Sequence, residues 1–166
     1  MKNTSFICLF FSIFLINDTL VYAQGKKIIR KFNIRVQIEI VKEGNISYKS
    51  EERLYDANGN EIQFIKFNKD GGIKKKVISK YDKNNNLIEQ QEYEGNQLVR
   101  KKIYTYNKYD EKISEITYDA NNQIVRKEIF TYNDKGLKSE KKVYDKNDNL
   151  IQVHTYNYYT KSTNEK

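Results

Sequence analysis

The chain holds one histidine, His154, in the run LIQVHTYN that starts at Leu150. A single imidazole builds no metal cluster. No serine stands in a nucleophile-elbow motif, so a nucleophilic triad has no members. His154 reads as a strand-face residue. The 22 Asp and Glu residues could supply a carboxylate pair for glycoside hydrolysis, but no spacing singles one out, and most stand in turn-like runs or beside lysine. Phosphate-binding glycine loops and dinucleotide fingerprints are missing. Asp56-Ala57-Asn58-Gly59-Asn60-Glu61 and Asp145-Lys146-Asn147-Asp148-Asn149 resemble the first half of a calcium loop. They lack its distal bidentate glutamate, and the same letters are what a hairpin turn needs. The expectation is therefore no catalytic residue, no cofactor and no metal: a protein that is not an enzyme.

Two residue classes remain that could hold a ligand. The basic runs Lys74-Lys75-Lys76, Arg100-Lys101-Lys102 and Lys141-Lys142 interleave with aromatics, as single-strand nucleic-acid platforms do. Consecutive residues of a strand point to opposite faces, so these runs read first as solvated faces. Anionic glycan or lipid is the ligand class they would suit, and nucleic acid is not expected for an exported chain. The second class is aromatic: Tyr81, Tyr93, Tyr106, Tyr118, Tyr132, Tyr144 and Tyr156. Their structural role is cross-strand packing beside turns with hydroxyls in water. Their functional role would be stacking on sugars or on a partner protein.

These tyrosines are held by a repeat. An aromatic followed by Asp, Asn or Glu recurs at Tyr55, Phe67, Tyr81, Tyr93, Tyr106, Tyr118, Tyr132, Tyr144 and Tyr156, in steps of 12 to 14 residues. Alternate starts, from Tyr55 through Tyr81, Tyr106 and Tyr132 to Tyr156, step by 26, 25, 26 and 24. The aromatic suits the end of a strand. The Asp-, Asn- and Gly-rich cluster after it tolerates the positive φ of tight turns. Leu or Ile then restarts the chain. One unit is one strand plus one hairpin, too short for a helical crossover, so neighbouring strands must be antiparallel. Upstream, Phe32, Ile34, Val36, Ile38 and Ile40 alternate with polar residues, which predicts a half-buried first strand over about Ile28–Val41. Glu43-Gly44-Asn45 turns the chain into a second strand that ends at Tyr55.

The fold expected is all-β: a single-domain antiparallel meander of about ten strands, an open twisted or curled sheet. In LVRKKIYTYN, Leu98, Tyr104 and Tyr106 share one face with Arg100 and Lys102, while Val99, Ile103 and Thr105 share the other with Lys101. Apolar groups thus fall on both faces, with charges in mid-strand. That argues against a sandwich, which hides one face and wets the other.

The first residues read as a secretory signal peptide over 1–23: Lys2, an apolar run from Thr4 to Ile16, and Val21-Tyr22-Ala23 before Gln24. The run is short for a membrane-spanning helix; an uncleaved anchor is the alternative. Cleavage would remove Cys8, the one cysteine, and with it any disulfide or thiolate chemistry. The β-repeat domain is expected over 24–159, with a disordered polar tail over 160–166. Formal charge +8 and pI near 9.3 favour anionic surroundings without choosing among them.

Stretches such as KKIYTYNKYDEKISEITYDANNQI and RKEIFTYNDKGLKSEKKVYDKNDNLI resemble the tandem tyrosine-aspartate (YD, Rhs-type) repeats of bacterial exported proteins, in their short Lys- and Asn-rich form. The resemblance spans about Tyr55 to Asn157, and is weaker to MORN-variant repeats, which lean on Gly and Trp. It implies a β-sheet shell or spiral that binds carbohydrate or wraps a C-terminal toxin domain. The Gly-Arg-Leu-Thr end of the typical unit is missing here, and no toxin domain follows the last repeat. The function expected is a secreted, periplasmic or cell-surface binding module for glycan, an envelope component or another protein. The alternative is a structural or immunity-type protein acting through a sheet face or edge.

Overall fold

The computed structural model describes residues 18–160, with side chains from Gly25 onward. Residues 1–17 of the expected leader and 161–166 of the expected tail lie outside the described residues. One helix, α1 (Asp18–Lys31), precedes ten strands: β1 (Val36–Glu43), β2 (Ile46–Tyr55), β3 (Glu61–Phe67), β4 (Ile73–Tyr81) and β5 (Leu87–Glu94), then β6 (Gln97–Tyr106), β7 (Lys112–Tyr118), β8 (Ile124–Tyr132), β9 (Lys138–Asp145) and β10 (Leu150–Thr155). All ten form one sheet in chain order, each antiparallel to the next. The sheet is open, not closed into a barrel, and at the usual strand spacing it is about 43 Å across.

The start of the chain departs from expectation. Ile28–Lys31 belong to α1, and the first strand begins only at Val36. The helix stops because Asn33 adopts φ 52°. Its N–H then bonds to the Arg30 carbonyl at 3.2 Å while the Ile34 N–H reaches the Ile29 carbonyl at 2.9 Å, the paired bonds of a Schellman cap. The alternation over Phe32 to Ile40 thus straddles a cap and a strand. Nor is that strand half-buried: Val36, Ile38 and Ile40 are 50–61% exposed, because β1 is an edge and no element is stacked on the face they share.

Seven of the nine hairpins share one geometry. The residue after the aromatic (Asp56, Asn68, Asp82, Asn107, Asp119, Asn133 or Asp145) donates its N–H to the carbonyl of the residue four ahead, and its own carbonyl accepts the N–H of the residue three ahead. That third residue has positive φ in every case: Gly59, Gly71, Asn85, Asp110, Asn122, Gly136 and Asp148. This is the three-residue hairpin in which a type I turn is followed by a left-handed residue. In six of the seven, the side-chain oxygen of the first residue also accepts the N–H groups two and four ahead; Asp82 Oδ1, for example, takes Asn84 N–H at 2.8 Å and Asn86 N–H at 2.9 Å. The Asp or Asn of each repeat is therefore turn chemistry. The other two hairpins close through the two-residue loops Gly44-Asn45 and Gly95-Asn96, with the glycine at φ 60° and 55°.

Every strand pair also carries one register shift. Opposite Leu54-Tyr55, for instance, Ile62 is the extra residue; opposite Lys80-Tyr81 it is Ile88, and opposite Thr105-Tyr106 it is Ile113. A bulge per hairpin strengthens the twist and keeps the sheet from lying flat. Little is buried deeply. Among the described residues Val143, Phe130 and Ile65 are the buried apolar side chains, and Asn60, Ser79 and Thr117 the buried polar ones. Both faces carry apolar and charged groups together, as the sequence of β6 indicates.

Candidate functional site

The register assigns the repeat's aromatics to two sets. Tyr55, Tyr81, Tyr106 and Tyr132 lie on one face, in line with Arg53, Val77, Lys102 and Glu128, at the rim where β2, β4, β6 and β8 end. Phe67, Tyr93, Tyr118 and Tyr144 lie on the opposite face at the opposite rim, in line with Ile65, Gln91, Ile116 and Lys142. Two strands make one full step, which is why the repeat pairs into units of about 25 residues.

Four tyrosine hydroxyls turn back to backbone carbonyls at this rim. Tyr81 donates to the Glu61 carbonyl (3.1 Å), Tyr106 to Leu87 (2.9 Å), Tyr132 to Lys112 (2.9 Å) and Tyr158 to Lys138 (2.8 Å). Each acceptor immediately precedes the extra residue of a bulge, where the ladder is interrupted and a carbonyl needs another donor. In the last unit the donor is Tyr158, while the Tyr156 backbone N–H bonds to Ser139. Burial holds the Tyr106 and Tyr132 hydroxyls above the usual phenol range, which keeps these donors protonated.

Ion pairs fill the middle of this face. Glu51 meets Arg53 (2.8 Å) and Lys66 (3.6 Å), Glu92 meets Lys75 and Arg100, Glu115 meets Lys102 and Lys112 (both 2.8 Å), and Glu128 meets Arg126 (2.7 Å) and Lys141 (3.9 Å). Each carboxylate thus sits between two cations. Burial pushes the Glu115 carboxyl up, but hydrogen bonds from Lys102 and Lys112 outweigh it and hold the group below the usual carboxylate range. A groove of about 360 Å³ runs past Arg100, Lys102, Thr117, Val125 and Arg126, but its three cations already face carboxylates. A cleft of about 410 Å³ lies where α1 crosses the sheet, between Ile28 and Ile29 of the helix and Gln37, Arg53, Tyr55 and Glu61. Its polar groups are likewise engaged: Arg53 with Glu51 and Glu61, and the Tyr55 hydroxyl with Gln37 at 2.9 Å.

The second face is different. Lys49 lies over the Phe67 ring at 4.2 Å, Lys76 over Tyr93 at 4.5 Å, Lys101 over Tyr118 at 4.7 Å and Lys127 over Tyr144 at 4.9 Å. In the last three pairs the lysine and the aromatic are direct cross-strand partners. Lys49 and Lys127 also meet Glu52 and Asp148. Lys101 bonds to the neutral Asn122 amide oxygen, and neither Lys76 nor Lys101 has an ion pair among the described residues. From Lys76 to Lys101, and from Lys101 to Lys127, the row moves two strands across and two residues along, about 12 Å each time. It is a diagonal row of cations, each fixed against a ring.

The seven candidate tyrosines are therefore not one site. Tyr81, Tyr106 and Tyr132 close bulges, Tyr93, Tyr118 and Tyr144 carry lysines, and Tyr156, 36% exposed, has Lys138 at 5.5 Å from its ring. The lysine row was hidden in the sequence because Lys76 and Lys101 stand inside basic runs, and only the register separates them from their neighbours. His154 is exposed on β10. Among the described residues no group of three or more His, Cys, Asp and Glu is placed to hold a metal, and no helix is long and apolar enough to cross a membrane.

No protein-family model and no curated protein matches the chain. Solved structures with some likeness include TarM of S. aureus, at 20% identity over 81% of this chain and 24% of that one, TM-score 0.32. The GtfA/B complex bound to UDP and GlcNAc follows at 15% over 71% and 24%, TM-score 0.29. A Bacteroides fragilis protein with unknown function stands at 14% over 76% and 96%, TM-score 0.22. The chain spans about a quarter of the length of the TarM and GtfA/B chains, and likenesses this low carry no argument about function.

Proposed function

We propose that this chain is an exported, non-catalytic binding module that holds an extended anionic polymer, foremost an acidic polysaccharide of the cell envelope or its surroundings. The observation that carries the reading is the diagonal row of ring-backed lysines on the second face, two of them free of carboxylates, on a chain of net charge +8. A lysine laid against an aromatic loses less freedom when it meets an anion, because its stem is already ordered. Cations at regular intervals suit a ligand that is itself periodic. The YD-repeat resemblance agrees with carbohydrate as the ligand class. Stacking of sugars on the seven tyrosines has less support, since their hydroxyls or ring faces are occupied.

The test is titration of the protein with an acidic and with a neutral polysaccharide at several salt concentrations. The acidic polymer should bind more weakly as salt rises, and the neutral one should not bind. Lys76→Glu with Lys101→Glu should weaken binding by at least about tenfold, while Lys135→Glu, in the exposed turn between β8 and β9 and away from the row, should change it little. Salt-independent binding that the double variant leaves untouched would sink the proposal.

A further inference from the structure

We infer that β10 is an association edge and that its partner is a second copy of this chain, the two β10 strands pairing antiparallel about a two-fold axis through Val153. The argument starts from what β10 lacks. Its sequence, LIQVHT, contains no Lys, Arg, Asp or Glu, whereas each of the other nine strands carries at least two. Sheet edges left in water are normally blunted by charge, lysine above all, because an unpaired row of N–H and C=O groups recruits other strands. Here the one uncharged strand is one of the two edges.

Exposure agrees. All six residues of β10 are exposed, with Leu150 at 49%, Ile151 at 53% and Val153 at 49%. One hydrogen-bonding side of β10 is taken by β9, and no strand among the described residues takes the other. The opposite edge is built otherwise: β1 carries Glu39, Lys42 and Glu43 and is entered from a segment bearing Lys26, Lys27, Arg30, Lys31 and Arg35.

Charge also selects the occupant and its orientation. Two chains of net charge +8 repel, and β10 against β10 brings them together where neither presents a cation. An axis normal to the sheet keeps each face continuous across the join. Centring on Val153 sets Gln152 of one copy beside His154 of the other, polar against polar on one face, and Val153 against Val153 on the other, apolar against apolar. Such pairing closes after two copies. Joining β10 to β1 would instead bring the neutral edge against a charged one and leave each assembly with an open end.

The test is sedimentation equilibrium of the purified protein over a wide concentration range. The join is small, so a reversible dimer of micromolar affinity is expected, with nothing larger. Val153→Lys places like charges opposite each other at the axis and should weaken dimerisation at least tenfold, while the circular dichroism spectrum of the monomer keeps its β-sheet form, because the side chain is exposed within one copy. Ile38→Lys on β1 should leave the dimer intact. A monomer at every concentration overturns the inference, as do assemblies that grow without limit, or a dimer that Ile38→Lys breaks and Val153→Lys does not. A truncation after Thr160 that dimerises where the full chain stays monomeric assigns the edge to the chain's own last residues, and also overturns it. Polysaccharide binding through the lysine row is read separately, so either result leaves the other standing.

Discussion

Tyr106 sits at the end of a strand, half-buried, with its hydroxyl turned back to the carbonyl of Leu87, 19 residues earlier. Tyr106→Phe keeps the ring and deletes that bond, leaving a part-buried carbonyl without its donor, at a cost of about 1–2 kcal/mol. Urea denaturation should show the loss as a lower midpoint at unchanged slope. Tyr109→Phe is the control: that side chain is 70% exposed and its hydroxyl donates no hydrogen bond, so the midpoint should not move. The sequence announces that an aromatic belongs at position 106. It does not announce why a tyrosine serves there, because the carbonyl is freed by a bulge at Ile88, on the strand before it. The same blindness affected the row of Lys49, Lys76, Lys101 and Lys127. Residue type and spacing are written along the chain, whereas a lysine's partner is set across the sheet by registers that each bulge shifts.

At the level of elements the hairpins were legible almost to the residue, because backbone sterics leave few residue types able to hold positive φ. Asn122, at φ 62°, shows how much depends on this. Asn122→Val would force a β-branched side chain into the left-handed region and remove the oxygen that holds Lys101, costing about 1–3 kcal/mol. Asn122→Gly should lose far less, and comparing the two by thermal unfolding separates backbone strain from the lost side-chain bond. Less legible was the entry to the sheet. Between Ile28 and Ile40 the apolar residues satisfy a strand period, yet Ile28–Lys31 are helical and Asn33 caps them. Asn tolerates that cap as readily as it tolerates a hairpin, so its presence did not say which one it made. Burial of β1 was misjudged for another reason: alternation promises a covered apolar face, but the side of this edge strand that carries Val36, Ile38 and Ile40 has no layer packed on it.

The whole molecule is quasi-one-dimensional, each strand packing mainly on the strands next to it. Stability in such an array adds up locally, and the unit that preserves it is two strands, since only that step returns both the aromatic face and the rim. Deleting Asp82–Tyr106, the 25 residues from one turn to the next on the same rim, should leave a folded eight-stranded sheet with a smaller urea m-value. Deleting Asp82–Tyr93, a single strand with its turn, should abolish cooperative unfolding, because every aromatic beyond the cut would change face. The open, single-layer form was readable in β6, where apolar and charged residues share both faces, and the choice of an open sheet over a curled closure came from geometry that no local pattern encodes. The order of the strands has a mechanical meaning too. Chain order runs from one edge of the sheet to the other, so a pull on the two ends loads the hairpins across their strands and separates them as a zipper opens. Hydrogen bonds then yield a few at a time at low force, each strand and its turn paying out about 40 Å of slack before the next is engaged. A module of this shape lengthens under tension where a sheared sheet would hold and then snap.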